Sequence, residues 1–213
     1  MRAFLKGVLL GMALIPVFPM WILYRLESLL LGTDKAFYGW SQLMSLFPGL
    51  PGNYLRFAFY KLSLAELGKD ACICFGATLV HPGIRIGKGA YIGPYCNLGL
   101  CSIEDDVLLG TGVHVMSGMG QHGSADLETP IREQRGVLLQ VRVGADAWVG
   151  NKAVIGADVG RKCIVGAAAV VVKPLPEFAI AAGNPARIIR MRTPNEARGT
   201  GTKALEESGD DGA

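Results

Sequence analysis

Aliphatic side chains recur on a six-residue beat through the middle of the chain. Ile86, Ile92 and Leu98 keep that spacing, as do Val143, Val149 and Ile155, and again Val159, Val165 and Val171. Nine of the aliphatic residues between positions 86 and 166 are followed directly by glycine, where random placement gives about three. A period of six is neither the 3.6 of a helix nor the 2 of a simple strand. It fits a chain that turns after every few residues with one aliphatic side chain pointing inward each time. Three turns make a triangular coil of about 18 residues, and stacked coils pair as parallel strands about 4.8 Å apart. Glycine beside each inward residue is expected to relieve crowding and to supply turn dihedrals closed to bulkier residues.

Upstream the pattern changes. Gly7 to Tyr24 is an uncharged run of 18 residues; as one helix it spans about 27 Å, close to the roughly 30 Å of a hydrocarbon core. Arg2 and Lys6 precede it and Arg25 follows, so charge bias does not orient a span. Pro16 and Pro19 each remove a helical hydrogen bond and predict a kink. No small-x-small cleavage site comes after it, against a signal peptide. Residues 1–35 therefore read as a membrane-embedded segment, re-entrant in preference to straight, with a buried oligomer-core helix as the alternative. Residues 36–70 read as amphipathic helices broken at Pro51-Gly52. Their Tyr38, Trp40, Tyr54, Arg56, Tyr60 and Lys61 suit a membrane interface and equally suit packing against the repeats downstream.

Half of the residues are hydrophobic and 18% charged, with mean hydropathy +0.33, which excludes a wholly disordered chain. A net charge of +3 advertises no nucleic-acid groove. Five cysteines without a CxxC pair argue against a disulfide scaffold or zinc ribbon and fit a reducing cytoplasm. Residues 193–213 are charged, rich in glycine and poor in aliphatics, the composition of a disordered tail.

The repeats IGKGAY, IGPYCN, VGADAW and VGNKAV, with the closing segments VGAAAVVVKPLP and AAGNPARIIRMR, resemble the hexapeptide-repeat acyltransferases, the sugar O-acetyltransferases among them. The resemblance covers about half of the chain. It implies a mainly β fold, a left-handed parallel β-helix over 71–192 with a protruding loop at 116–142. It also implies a homotrimer, acetyl-CoA as donor, and active sites between subunits. The N-terminal third resembles membrane-associated variants only loosely.

The beat stops after Val115 and resumes at Val143; a long excursion from a rigid stack is a place for function. Within it SGMGQHG occupies the place of the family's catalytic histidine, so the resemblance makes His122 the general base, with Asp126 or Glu128 near enough in sequence to fix its tautomer. His114, in a repeat, and Asn97 are the candidate acceptor contacts. For the donor the resemblance points to the amides of Asn151 and Ala167, to Trp148, to Lys173 for CoA phosphates and to Arg187. Arg190 and Arg192 read as solvated charge. Asn184-Pro185 reads as the N-cap and first turn of a C-terminal helix at 185–192. No metal is expected. Three histidines keep a γ-type carbonic anhydrase-like zinc enzyme as an alternative, although His114 and His122 are farther apart than that pattern asks. A non-catalytic membrane scaffold is the other alternative. The expected protein is a membrane-associated O-acetyltransferase with its catalytic domain in the cytoplasm, acting on a sugar hydroxyl of a lipid-linked or envelope glycan.

Overall fold

The computed structural model describes residues 2–193. Three helices, α1 (Arg2–Leu31), α2 (Thr33–Ser45) and α3 (Gly49–Ser63), precede a parallel β-solenoid of about six turns. One wall, sheet A, stacks β1 (Glu66–Leu67), β4 (Arg85–Ile86), β7 (Cys101–Ile103) and β10 (Val141–Val143). Sheet B stacks β2 (Cys72–Ile73), β5 (Tyr91–Ile92), β8 (Leu108–Leu109), β11 (Trp148–Val149), β13 (Ile164–Val165) and β15 (Ala179–Ala182). Sheet C stacks β3 (Thr78–Leu79), β6 (Asn97–Leu98), β9 (His114–Val115), β12 (Val154–Ile155) and β14 (Val170–Val171).

The six-residue beat becomes the inner wall. Ile73, Ile92, Leu109, Val149, Val165 and Ala181 lie in one parallel register and are each no more than 1% exposed. The glycines that follow inward residues, Gly150 after Val149 and Gly144 after Val143 on sheet A among them, have a different role from the one their flexibility suggests. A Cβ on Gly150 would sit 2.5 Å from the Ala167 nitrogen, and one on Gly144 2.5 Å from the Arg161 nitrogen, both backbone atoms of the next coil. Neither glycine has a positive φ. The left-handed corner positions are held by other residues, Asp70, Tyr95, Asp106, Asp146, Lys152, Lys162, Ala168 and Phe178 together with Gly76, Gly89 and Gly112, with φ between 55° and 76°. Close stacking of coils, not turn geometry, selects glycine after the inward residue.

An uncovered first coil would leave peptide groups unpaired, and α2 and α3 supply the partners. Arg56, fully buried, donates to the carbonyls of Ile73 (2.8 Å), Phe47 (2.6 Å) and Met44 (3.3 Å) and to Asn53 Oδ1. Ser41 Oγ accepts from the Leu79 amide at 2.7 Å and shares a 2.8 Å bond with the buried Tyr60 hydroxyl. The Gly76 amide donates to the Ser45 carbonyl. Of the residues that equally suited a membrane interface, Arg56 and Tyr60 are thus interior.

The N-terminal segment is one continuous helix through Pro16 and Pro19, both on its exposed side. The face made by Ala13, Val17 and Tyr24 is buried, and packing on α2 and α3 keeps the helix continuous past the missing bonds. Tyr24 meets Phe37 and Phe59 edge-on. Trp21 Nε1 donates to the Leu62 carbonyl, Trp40 Nε1 to Glu27, and Lys6 pairs with Asp70 at 3.0 Å. Lys6–Leu31, with mean hydropathy 1.9, is long and apolar enough to cross a membrane.

The far end is corrected. Residues 187–191 form no helix but a strand, β16 (Arg187–Met191), antiparallel to β15. The chain doubles back between β15 and β16, through Gly183 with φ 97° and a cis Asn184–Pro185 bond. The open edge of β15 gains more from a paired strand than a one-turn helix would offer, and Ile188 and Ile189 are β-branched. Arg192 donates to the Lys162 carbonyl at 2.7 Å instead of standing free in solvent. The tail from residue 194 onward lies outside the described residues.

Candidate active site

The three walls present different outer faces. On sheet A the register runs Glu66, Arg85, Ser102, Arg142, with Arg85 paired to Glu66 and Arg142 to Glu104. The Arg142 guanidinium holds the Glu104 carboxyl below its ordinary range. On sheet B the sequence is Cys72, Tyr91, Leu108, Trp148, Ile164, Ile180, and Tyr91, Leu108 and Trp148 are 40%, 44% and 53% exposed. Sheet C carries Thr78, Asn97, His114, Val154 and Val170. Asn97 and His114 are therefore register neighbours on one outer face, and Asn97 Nδ2 donates to Thr78 Oγ1 at 2.9 Å.

The excursion leaves sheet C after Val115 and re-enters sheet A at Val141. It folds as a two-stranded arm. Leu139 donates its amide to the Ser117 carbonyl and Val137 to that of Gly120, and His122 bridges Arg135. Its base is fixed to the stack: Ser117 Oγ accepts from the Leu100 amide, and the Met119 side chain lies over Gly156, where a Cβ would run into its sulfur. At the tip Asp126 accepts from the amides of Glu128 and Thr129 and from the Thr129 hydroxyl, which lowers its pKa. The Asp126 carboxylate thus closes its own turn and does not reach His122. The His122 side chain is exposed and hydrogen-bonds to no side chain among the described residues.

The corner between sheets B and C carries the other candidates. One level below Asn151 the corner amide, that of Thr111, is held by Asn151 Oδ1 of the coil above at 2.9 Å, much as the Lys88 amide at the corner between sheets A and B is held by Asp105 Oδ1 at 2.7 Å. The amides of Asn151 and Ala167, one coil apart, donate to no acceptor among the described residues. Arg187 begins β16 just past the next corner, opposite Ala182. Asn151, Ala167 and Arg187 thus form a column along the solenoid axis, with Trp148 beside its lower end on sheet B. Lys173 is not part of that column; it is exposed at the other edge of sheet C, on the side from which the His122 arm leaves.

His81 sits below that arm on the first coil, with its Nδ1 3.6 Å from Asp34 Oδ2 of α2. Sequence reading missed the fixtures of the arm, Ser117, Met119 and Gln140, whose amide reaches the Gly83 and Cys101 carbonyls. They lie outside the repeats and have no periodic signal. Cys96, Cys101 and Cys163 are buried; burial pushes the Cys96 thiol up to about 11 and the Cys101 thiol up to about 12, so neither is a ready nucleophile.

No protein-family model matches the chain. A Mycobacterium tuberculosis protein designated a probable acetyltransferase is 31% identical over 111 residues, 51% of this chain and 35% of that protein. The serine acetyltransferase of Haemophilus influenzae is 38% identical over 114 residues, 52% of this chain and 38% of the enzyme. The chain thus matches little more than a third of the length of these relatives. Among solved structures, a maltose O-acetyltransferase from Clostridium difficile aligns with TM-score 0.66 at 19% identity, over 76% of this chain and 88% of the other. A hexapeptide-repeat-containing acetyltransferase from Vibrio cholerae aligns with TM-score 0.60 at 21% identity, over 74% and 92%; its complex with acetyl-coenzyme A gives 0.57 at 20%, over 73% and 85%. The parallel β-solenoid of the chain is the fold of these hexapeptide-repeat acetyltransferases.

Proposed function

We propose that the protein is an acetyl-CoA-dependent O-acetyltransferase of the hexapeptide-repeat type, working as a homotrimer on a sugar hydroxyl of a membrane-linked glycan. The observation that carries this reading is the pairing of a column of undonated corner amides with an arm that bears an exposed histidine, on a fold shared with acetyltransferases. An extended acyl-CoA suits a column that runs along the axis. Arg187 offers charge for its phosphates and Trp148 a face for its pantetheine, while Lys173, on the edge that carries the arm, reaches the phosphates only from a neighbouring copy.

In the reaction, one ring nitrogen of His122 takes the proton of the acceptor hydroxyl as that oxygen attacks the thioester carbonyl. The amide of Asn151 donates to the oxyanion that forms, from a backbone already fixed by the stack. Collapse breaks the C–S bond, and the imidazolium returns the proton to the leaving thiolate. The products are the acetyl ester and free CoA. Asn97 and His114 position the sugar from sheet C. Donor column and arm stand at opposite edges of that sheet, so a second copy bringing its arm to the column of the first would complete the site. The apolar outer face of sheet B, beside the charged face of sheet A, supports such self-association.

The membrane part rests on α1. Its buried face grips α2 and α3, while Val8, Met12, Ile15, Ile22, Leu26 and Leu29 are 41% to 80% exposed. Lys6 near its start and Glu27 near its end are both tied to the body. A helix held at both ends lies along a bilayer surface with its apolar side inward, and it leaves the solenoid in the aqueous phase where acetyl-CoA is found.

The test is acceptor-dependent thiol release from acetyl-CoA by detergent-purified protein, offered envelope glycolipids, polysaccharide repeat units and free sugars. Loss of about 100-fold or more in His122→Ala, with acetyl-CoA still bound, supports the assignment. Loss in His114→Ala with His122→Ala active moves the base to sheet C. Failure to bind acetyl-CoA overturns the reading.

A further inference from the structure

An open cleft of about 400 Å³ lies where the start of α1 meets α3 and the first coil. Its walls are mainly apolar, from Leu10 on α1 and Leu50, Tyr54 and Phe57 on α3. Lys6, Lys69 and Asp70 stand at its rim, and Cys72 lies among its lining residues. The rim thus carries two ammonium groups against one carboxylate, and Asp70 is engaged by Lys6. Lys69 is exposed and makes no ion pair among the described residues. None of these residues belongs to the acetyl-transfer site. Gly7, also on the wall, has nothing within 4 Å of where a Cβ would point, so the space beside α1 is unfilled.

We propose that this cleft binds one anionic membrane lipid, its chain against Leu10, Leu50 and Phe57 and its phosphate at Lys69. An apolar cavity of this size with a few charged groups at one end is the form taken by sites for amphiphiles. Lysines beside a membrane-seated helix attract anionic headgroups. The inference rests on the placement of α1 along a bilayer: the cleft flanks Val8 of its exposed apolar side, so lipid reaches it without leaving the interface. Such a lipid would wedge between α1 and the first coil and fix the height of the solenoid over the membrane.

Cys72 provides the readout, because it is half-buried in the cleft while the other four cysteines are buried; its contact with Cys74 and its burial push the thiol up, so labelling is slow and is followed at alkaline pH. Full-length protein in neutral detergent would be alkylated with a small maleimide in the presence of dioleoyl phosphatidic acid, dioleoylglycerol or inorganic phosphate. The expected result is that phosphatidic acid slows labelling of Cys72 by about tenfold or more, dioleoylglycerol much less, and inorganic phosphate not at all. Lys69→Glu should raise the phosphatidic acid needed by about tenfold, and Gly7→Trp should remove the lipid dependence by filling the cleft. Equal protection by dioleoylglycerol, protection by inorganic phosphate alone, or unchanged protection in both variants would overturn the proposal. Flotation with phosphatidylcholine vesicles separates the two readings. Protein that floats yet gains no protection refutes the lipid cleft alone; protein that does not float yet is protected in micelles refutes the placement of α1 alone.

Discussion

The stacked coils and the helical cap beneath them both bury apolar cores, but they distribute their interactions differently. In the coils every level repeats the same device: one inward aliphatic per wall and a glycine that lets the next coil approach. Each residue serves its own level and the levels beside it, as in other solenoids. In the cap a few polar side chains each serve several elements. Arg56 alone joins α2, α3 and β2 through three carbonyls and one amide oxygen. A repetitive region is thus redundant, whereas a cap that must match a helix pair to a coil concentrates its energy in single residues.

The strongest way to break this contrast is Arg56→Ala. It leaves the carbonyls of Ile73, Met44 and Phe47 without that donor, and each unsatisfied buried group costs about 1–3 kcal/mol. Unfolding in denaturant should show a loss of roughly 3–5 kcal/mol, with Arg56→Lys recovering only part of it because an ammonium lacks the planar fork. A change near zero would mean that the cap is as redundant as the coils.

Next come two glycines. Gly150→Ala places a methyl group 2.5 Å from the Ala167 nitrogen and should cost about 1–3 kcal/mol through coil separation. Gly7→Ala in α1 meets nothing within 4 Å and should be neutral or stabilise by up to about 1 kcal/mol. Thermal melts of the two variants sharpen the comparison directly; equal shifts would remove the role assigned to close stacking.

The smallest effect is electrostatic and lies on sheet A. The folded-state pKa of Glu104 is lowered by Arg142, so its contribution is present above the unfolded carboxylate value, about 4.3, and disappears as pH falls through the lowered one. Both groups are partly exposed, at 31% and 57%, which limits the contribution to less than about 1 kcal/mol. Wild type and Glu104→Gln should differ slightly in melting temperature at pH 7 and converge on acidification. A gap that widens toward low pH would contradict the assigned sign.

What the sequence determined by itself was whatever repeats. A six-residue beat of inward aliphatics can bury its side chains only by coiling, so the solenoid and the place of the excursion were legible from Ile86 to Val171. The resemblance carried by VGNKAV and GNPARIIR supplied the candidates Asn151 and Arg187. Tertiary structure decided what has no period. RIIRM became a strand because β15 offered an open edge, and Pro16 and Pro19 left α1 unbroken because α2 and α3 hold it. Arg56 and Tyr60 moved inside because the first coil had peptide groups to satisfy. Asp126 turned to its own loop, while Asn151, Ala167 and Arg187 lined up because consecutive corners stack. Periodicity fixes which way a side chain points relative to its own strand; only the packed neighbours decide which peptide groups remain free to meet a ligand.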